Sequence, residues 1–134
     1  TWGRRDGDST NPRYPDFATM QGHLETGYRA LAASARSTGA AVSIVPVGLA
    51  FAEVHEATAA LGDPLDPNGL FFRLYAPDGS HPSILGSYLA TCVFVSSILQ
   101  VDATTITFTP PEVAAADAVL LRAAAQRAVD GWQD

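Results

Sequence analysis

A chain of 134 residues is about one domain's worth and is long enough to bury a modest core. Its composition, 47% hydrophobic and 16% charged, is ordinary for a globular protein, with no internal repeat and no low-complexity tract. A formal net charge of -6, with no lysine and no basic cluster beyond Arg4-Arg5, argues against nucleic acid and anionic membrane as partners. No stretch reaches the roughly 18 continuous apolar residues that a membrane span requires, and Thr1-Trp2-Gly3-Arg4-Arg5 does not read as a signal peptide. Cys92 is the only cysteine, so no intramolecular disulfide forms, and the compartment stays open.

In chain order, residues 1–15 are rich in Gly, Asp, Asn, Pro and Arg and read as a loop. From Asp16 to about Arg36, Phe17, Met20, Leu24, Leu31 and Ala35 recur at helical spacing, with Tyr28 on the same side. Pro15 fits the first turn and Gly39 lies just past the end, so the spacing predicts an amphipathic helix. Ala41 to Val47 is a short β-branched apolar run, predicted to be a buried parallel strand whose pairing stops at Pro46. Phe51, Val54, Thr58 and Leu61 return to helical spacing, Gly62 is a candidate cap, and residues 62–69 are turn chemistry.

After Leu74-Tyr75 comes the loop Ala76-Pro77-Asp78-Gly79-Ser80-His81. Pro82 is pre-shaped for the first position of a helix over about 82–99, which is apolar on most faces and is expected to be buried. Thr105 to Phe108 is a weaker strand candidate. Thr109-Pro110-Pro111-Glu112 has the form of a capping box opening a last, alanine-rich helix over about 109–130. This alternation is that of an α/β domain, yet one firm strand cannot make a sheet. The expectation is a single, partial domain over 1–134, the second half of such a fold, completed by an upstream segment or a partner chain.

The residues that carry chemistry stand in the loop before the apolar helix. A serine hydrolase needs an imidazole to take the serine proton and a carboxylate to fix its tautomer and stabilise the imidazolium. Asp78 and His81, three residues apart on a turn loosened by Gly79 and closed by Pro82, meet that need. Spacing alone serves another reading equally well, with Asp78 as a turn residue and His81 as a helix N-cap.

The surrounding residues favour the first reading. Asp78-Gly79-Ser80-His81-Pro82-Ser83, followed by Gly86-Ser87-Tyr88-Leu89-Ala90 and an apolar helix, resembles the last block of the SGNH (GDSL-like) hydrolase superfamily. Val45-Pro46-Val47-Gly48-Leu49-Ala50-Phe51 is similar to that family's last core strand and the segment after it, and Thr1-Trp2-Gly3 to the end of an earlier strand. The resemblance runs from Thr1 to about Leu99, with 16–99 at its centre. It implies a three-layer α/β/α, flavodoxin-like fold and a metal-free, cofactor-free esterase acting on a small-molecule or carbohydrate ester. His81 would be the general base and Asp78 its orienting partner. The family's nucleophilic serine and oxyanion-hole Gly and Asn lie in earlier blocks, which places the nucleophile upstream of Thr1. The rival readings are a catalytically inactive binding module on the same scaffold and an unrelated flavodoxin-like domain.

Gly7-Asp8-Ser9-Thr10 spells the family's nucleophile signature, but the chemistry requires that signature at the tip of an apolar strand with a helix N-terminus behind it. Flanked by Arg4-Arg5-Asp6 and Asn11-Pro12, Ser9 reads as a loop coincidence. His23 is expected at the surface. His55 beside Glu53 and Glu56 has no second His or Cys at ligand spacing and reads as part of a solvated helix face. Cys92, inside the apolar helix with no basic neighbour, reads as core. Trp2 and the Arg4-Arg5 pair are candidates for lining the cleft.

Overall fold

The computed structural model describes residues 1–132 and turns the apolar periodicities into helices. They are α1 (Phe17–Ser37), α2 (Val47–Ala59), the single turn α3 (Leu70–Arg73), α4 (Ile84–Leu99) and α5 (Ala115–Gly131), with a 3₁₀ turn over Ala103–Thr105. The three-layer α/β/α, flavodoxin-like architecture expected from the sequence does not form. Among the described residues there is no sheet, and the one β-type pairing is an isolated antiparallel bridge between Tyr75 and Pro82. The reason lies in what a strand requires. A β-branched run becomes a strand only beside another strand, and none lies along residues 41–46. The chain instead enters α2 at Val47, whose N–H donates to the Val45 carbonyl at 2.9 Å. Thr105 to Phe108 fares the same way: Thr105 ends the 3₁₀ turn, and the Ile106 carbonyl accepts Arg122 at 3.0 Å.

The helix ends follow local chemistry. Asp16, in extended backbone, caps α1 by accepting the Thr19 N–H at 2.7 Å. α4 starts two residues later than Pro82, because Ser83 is the cap: its hydroxyl oxygen accepts the N–H groups of Leu85 at 3.1 Å and Gly86 at 3.4 Å. The capping box expected at Thr109 does not form either. Pro111 disfavours helical backbone at Pro110 and offers no N–H, so α5 begins at Ala115. Thr109 instead accepts Arg122 at 3.3 Å.

α2, α4 and α5 pack on one another through Phe51, Val54, Leu89, Cys92, Val93 and Leu121. The alanines Ala118, Ala124, Ala125 and Ala128 are buried along α5, where their small side chains let the helices approach closely. Cys92 is core, as its sequence position implied, and burial pushes its thiol above the ordinary range. Beneath the 76–81 loop lies an aromatic cluster: Phe71 packs edge-on to Phe17 at 4.7 Å and Tyr75 at 5.5 Å, and Trp2 stacks on Phe51 at 4.8 Å.

The apolar helix expected to be buried has an open face. On α4, Phe94 is 47% exposed and Ile98 65% exposed. On α1, the amphipathic stripe leaves Leu31 64% exposed.

Candidate functional site

The 76–81 loop is pinned at its neck. The Ala76 N–H donates to the His81 carbonyl at 2.8 Å and the Ser83 N–H to the Leu74 carbonyl at 2.8 Å, while the Ser83 hydroxyl donates to the Arg73 carbonyl at 2.6 Å. Within the loop, the Gly79 N–H donates to the Ala76 carbonyl at 2.9 Å. Gly79 has φ +66°, a left-handed conformation that costs glycine nothing, so this position supplies the freedom the turn needs. A second close approach fixes the loop against α4: a Cβ on Gly86 would overlap the Leu74 carbonyl oxygen.

This turn brings Asp78 and His81 together. Asp78 Oδ1 accepts the backbone N–H groups of Ser80 and His81, each at 2.9 Å, and Oδ2 lies 2.6 Å from His81 Nδ1. The His81 ring contact, followed by the two backbone donors, holds the Asp78 carboxyl well below the usual carboxylate range. An ionised carboxylate only accepts, so the shared proton belongs on Nδ1 and the lone pair of Nε2 is left free. The His81 side chain is 80% exposed and that of Asp78 51% exposed, so the pair adds little to stability. What it fixes is the ring's tautomer and direction. Because the Asp78 pKa is depressed, the contact is present above the ordinary carboxylate range and is lost as pH falls through the lowered value.

The amino-terminal segment braces the turn from outside. Trp2 Nε1 donates to the Ser80 carbonyl at 3.3 Å, the Arg5 N–H to the Gly79 carbonyl at 2.9 Å, and the Tyr75 hydroxyl to the Gly3 carbonyl at 2.8 Å. Burial pushes the Tyr75 phenol far above its ordinary range, so it stays a donor. Arg5 lies 3.9 Å over the Phe72 ring and, with Phe72, Tyr75, Pro77 and Ser83, lines a recess of about 690 Å³ beside the turn. Sequence reading singled out Trp2 but gave it no partner, and it missed Tyr75; both contacts span more than 70 positions, and no local spacing signals them.

Trp2→Phe keeps the ring on Phe51 and removes one hydrogen bond. A bond worth about 1 kcal/mol corresponds to roughly fivefold faster amide exchange at Ser80 and His81. Exchange unchanged at both residues would mean that the indole does not hold the turn.

The other candidates stay apart. Ser9 is exposed in a turn where Asp8 Oδ1 accepts the Thr10 N–H at 3.0 Å and the Thr10 hydroxyl at 2.7 Å, and Ser9 makes no hydrogen bond to His81. Among the described residues, no hydroxyl or thiol hydrogen-bonds the far ring nitrogen of His81. His55 is half-buried rather than on a solvated face, 4.7 Å from the Phe71 ring and 5.0 Å from Phe17. Burial lowers its pKa against the opposing pull of Glu56 and Asp16. His23 is at the surface, with its ring 5.5 Å from Tyr14. The described residues contain no group of three or more His, Cys, Asp or Glu able to hold a metal, and no helix long and apolar enough to cross a membrane. No protein-family model matches the chain, and no curated protein or solved structure matches it.

Proposed function

We propose that Asp78 and His81 are the base half of an ester-hydrolysing site of the SGNH type. The observation that carries this reading is the 2.6 Å contact between Asp78 Oδ2 and His81 Nδ1, in a ring whose Nε2 is open to a reacting group. The reading rests on the residues from Asp78 to Tyr88, not on a sheet. His81 Nε2 takes the hydroxyl proton of a serine as its oxygen bonds to the ester carbonyl carbon, and Asp78 stabilises the imidazolium. Collapse of the tetrahedral adduct breaks the bond to the alcohol, which leaves with the proton held on Nε2. Water then repeats the sequence, releasing the acid and restoring the serine. The serine is supplied from outside the residues described here, by preceding sequence or a partner chain. The substrate is a small ester, such as an acylated carbohydrate.

A purely structural reading accounts for part of the turn, since the two bonds to Oδ1 are ordinary turn chemistry. It leaves the bond from Oδ2 to the ring without a purpose, and the helix cap it assigns to His81 is taken by Ser83.

The test is hydrolysis of p-nitrophenyl acetate by the purified chain. The expected result is slow turnover just above buffer, because a base without a positioned nucleophile can only assist water. His81→Ala should bring the rate to background, Asp78→Asn should lower it, and Ser9→Ala should leave it alone. A rate indifferent to His81→Ala sinks the reading, and fast turnover abolished by Ser9→Ala would relocate the nucleophile to Ser9.

A further inference from the structure

We infer that Ala41–Val45 and the groove beside it dock one extended, uncharged polypeptide strand of a partner protein, apolar at alternate positions. The backbone points to the occupant. The N–H groups of Ala41, Val42, Ser43, Ile44 and Val45 donate to nothing in the described chain, and the carbonyls of Ala41, Ser43 and Ile44 accept nothing. The Val42 carbonyl takes Arg36 Nε at 2.9 Å, and the Val45 carbonyl takes the Val47 N–H. Unused by the fold, the remaining groups are open to an added chain.

From Ala41 to Ile44 the side chains alternate as a strand's do, with Val42 and Ile44 half-buried and Ala41 and Ser43 exposed; Val45 after them is half-buried too. A helix cannot satisfy this edge, because its own N–H and carbonyl groups are spent internally. An extended chain offers both along its length, which is the physics of strand addition.

The groove decides the occupant's side chains. It has a volume of about 520 Å³ and runs between α1 and residues 42–46, with Leu24, Leu31, Ile44 and Phe94 among its walls. Leu31, Phe94 and Tyr28 present exposed apolar surface there. Charge narrows the choice further. Residues 40–52 contain no charged side chain, Glu25 at the groove is paired with Arg29 at 2.9 Å, and the guanidinium of Arg36 is engaged on the Val42 carbonyl. An uncharged strand brings no charge against these groups, whereas a second copy would bring a net charge of -6 against -6. Nor does the edge carry the lysines or the central proline that usually guard against pairing; Pro46 stands at its end.

The test uses the isotope-labelled chain and one probe, the acetylated and amidated peptide Thr-Val-Thr-Val-Thr-Val-Thr. Light scattering should give a monomer, and the amides of residues 41–45 should exchange nearly as fast as in an unfolded chain. Excess peptide should slow at least tenfold the amides of Ala41, Ser43 and Val45, which share one edge, the other carrying the Arg36 contact to Val42. Ser43→Pro, at an exposed position whose N–H is unused, should abolish the slowing while the helical circular dichroism is retained. Leu31→Asp, at the exposed groove wall, should weaken it and provides a second variant if the proline disturbs folding. Slow exchange at 41–45 in the free monomer, no slowing with peptide, or slowing indifferent to both variants overturns the inference. A dimer that protects these amides without peptide also overturns it, in favour of a second copy. None of these outcomes depends on the hydrolytic reading of Asp78 and His81.

Discussion

Phe71→Ala should lower the stability of the chain by about 3–5 kcal/mol, the range for truncating a buried aromatic residue. Phe71 is fully buried on the single turn α3, where its ring meets Phe17 at 4.7 Å, His55 at 4.7 Å and Tyr75 at 5.5 Å. Those partners come from α1, α2 and the strand-like neck of the loop, so none of them can collapse alone into the space left behind. The loss adds transfer, cavity and ring–ring contributions, the last about 0.5–1.5 kcal/mol per pair. Against a total of about 5–15 kcal/mol for a typical domain, this is a large fraction, readable as a shift in urea midpoint. α3 also leads directly into Leu74, whose carbonyl holds the Ser83 N–H, so exchange at Ser80 and His81 should quicken. Phe71→Leu should recover most of the stability. A loss below about 1 kcal/mol would mean that α3 does not pack as described.

Gly86→Ala should destabilise the chain by about 1–3 kcal/mol, although alanine is the better helix former by about 1 kcal/mol. The clash decides the sign. A Cβ at this position overlaps the Leu74 carbonyl oxygen and comes within 3.1 Å of Pro82 Cβ, and neither atom belongs to a side chain free to swing away. Relief requires moving α4 from the neck of the loop, which breaks the bond from Ser83 to Leu74 and disturbs Asp78 and His81 with it. Gly22→Ala and Gly27→Ala are the controls. Both glycines are exposed inside α1 with nothing within 4 Å of an added Cβ, so propensity acts unopposed and each change should stabilise, by up to about 1 kcal/mol. Thermal midpoints of the three variants check the contrast. A rise with Gly86→Ala would show that α4 and Leu74 are not in contact.

The sequence alone determined what depends on neighbours a few residues away. The helical periodicity from Phe17 onward, the turn flexibility at Gly79 and the three-residue spacing that lets Asp78 reach His81 are all local, and each has its structural counterpart. Even the Asp78–His81 contact was legible in outline, because it closes within one turn. Where the sequence misled, it was through features that local text cannot settle. Ala41–Val47 has a strand's composition, but a strand is a relation between two segments, and the second is absent from the described chain. Thr109 and Glu112 have the spacing of a cap, yet Pro110-Pro111 and the reach of Arg122 turn Thr109 to another use. The stripe through Leu24, Tyr28 and Leu31 announces an amphipathic helix without saying what, if anything, covers it. Only the tertiary structure decided that Trp2 and Arg5 brace the turn from more than 70 residues away, that Ser83 rather than Pro82 or His81 starts α4, and that the helices pack without a sheet. The physical reason is common to all of these. A helix satisfies its own backbone within four residues, whereas sheets, braces and buried faces are set by partners whose distance along the chain no periodicity records.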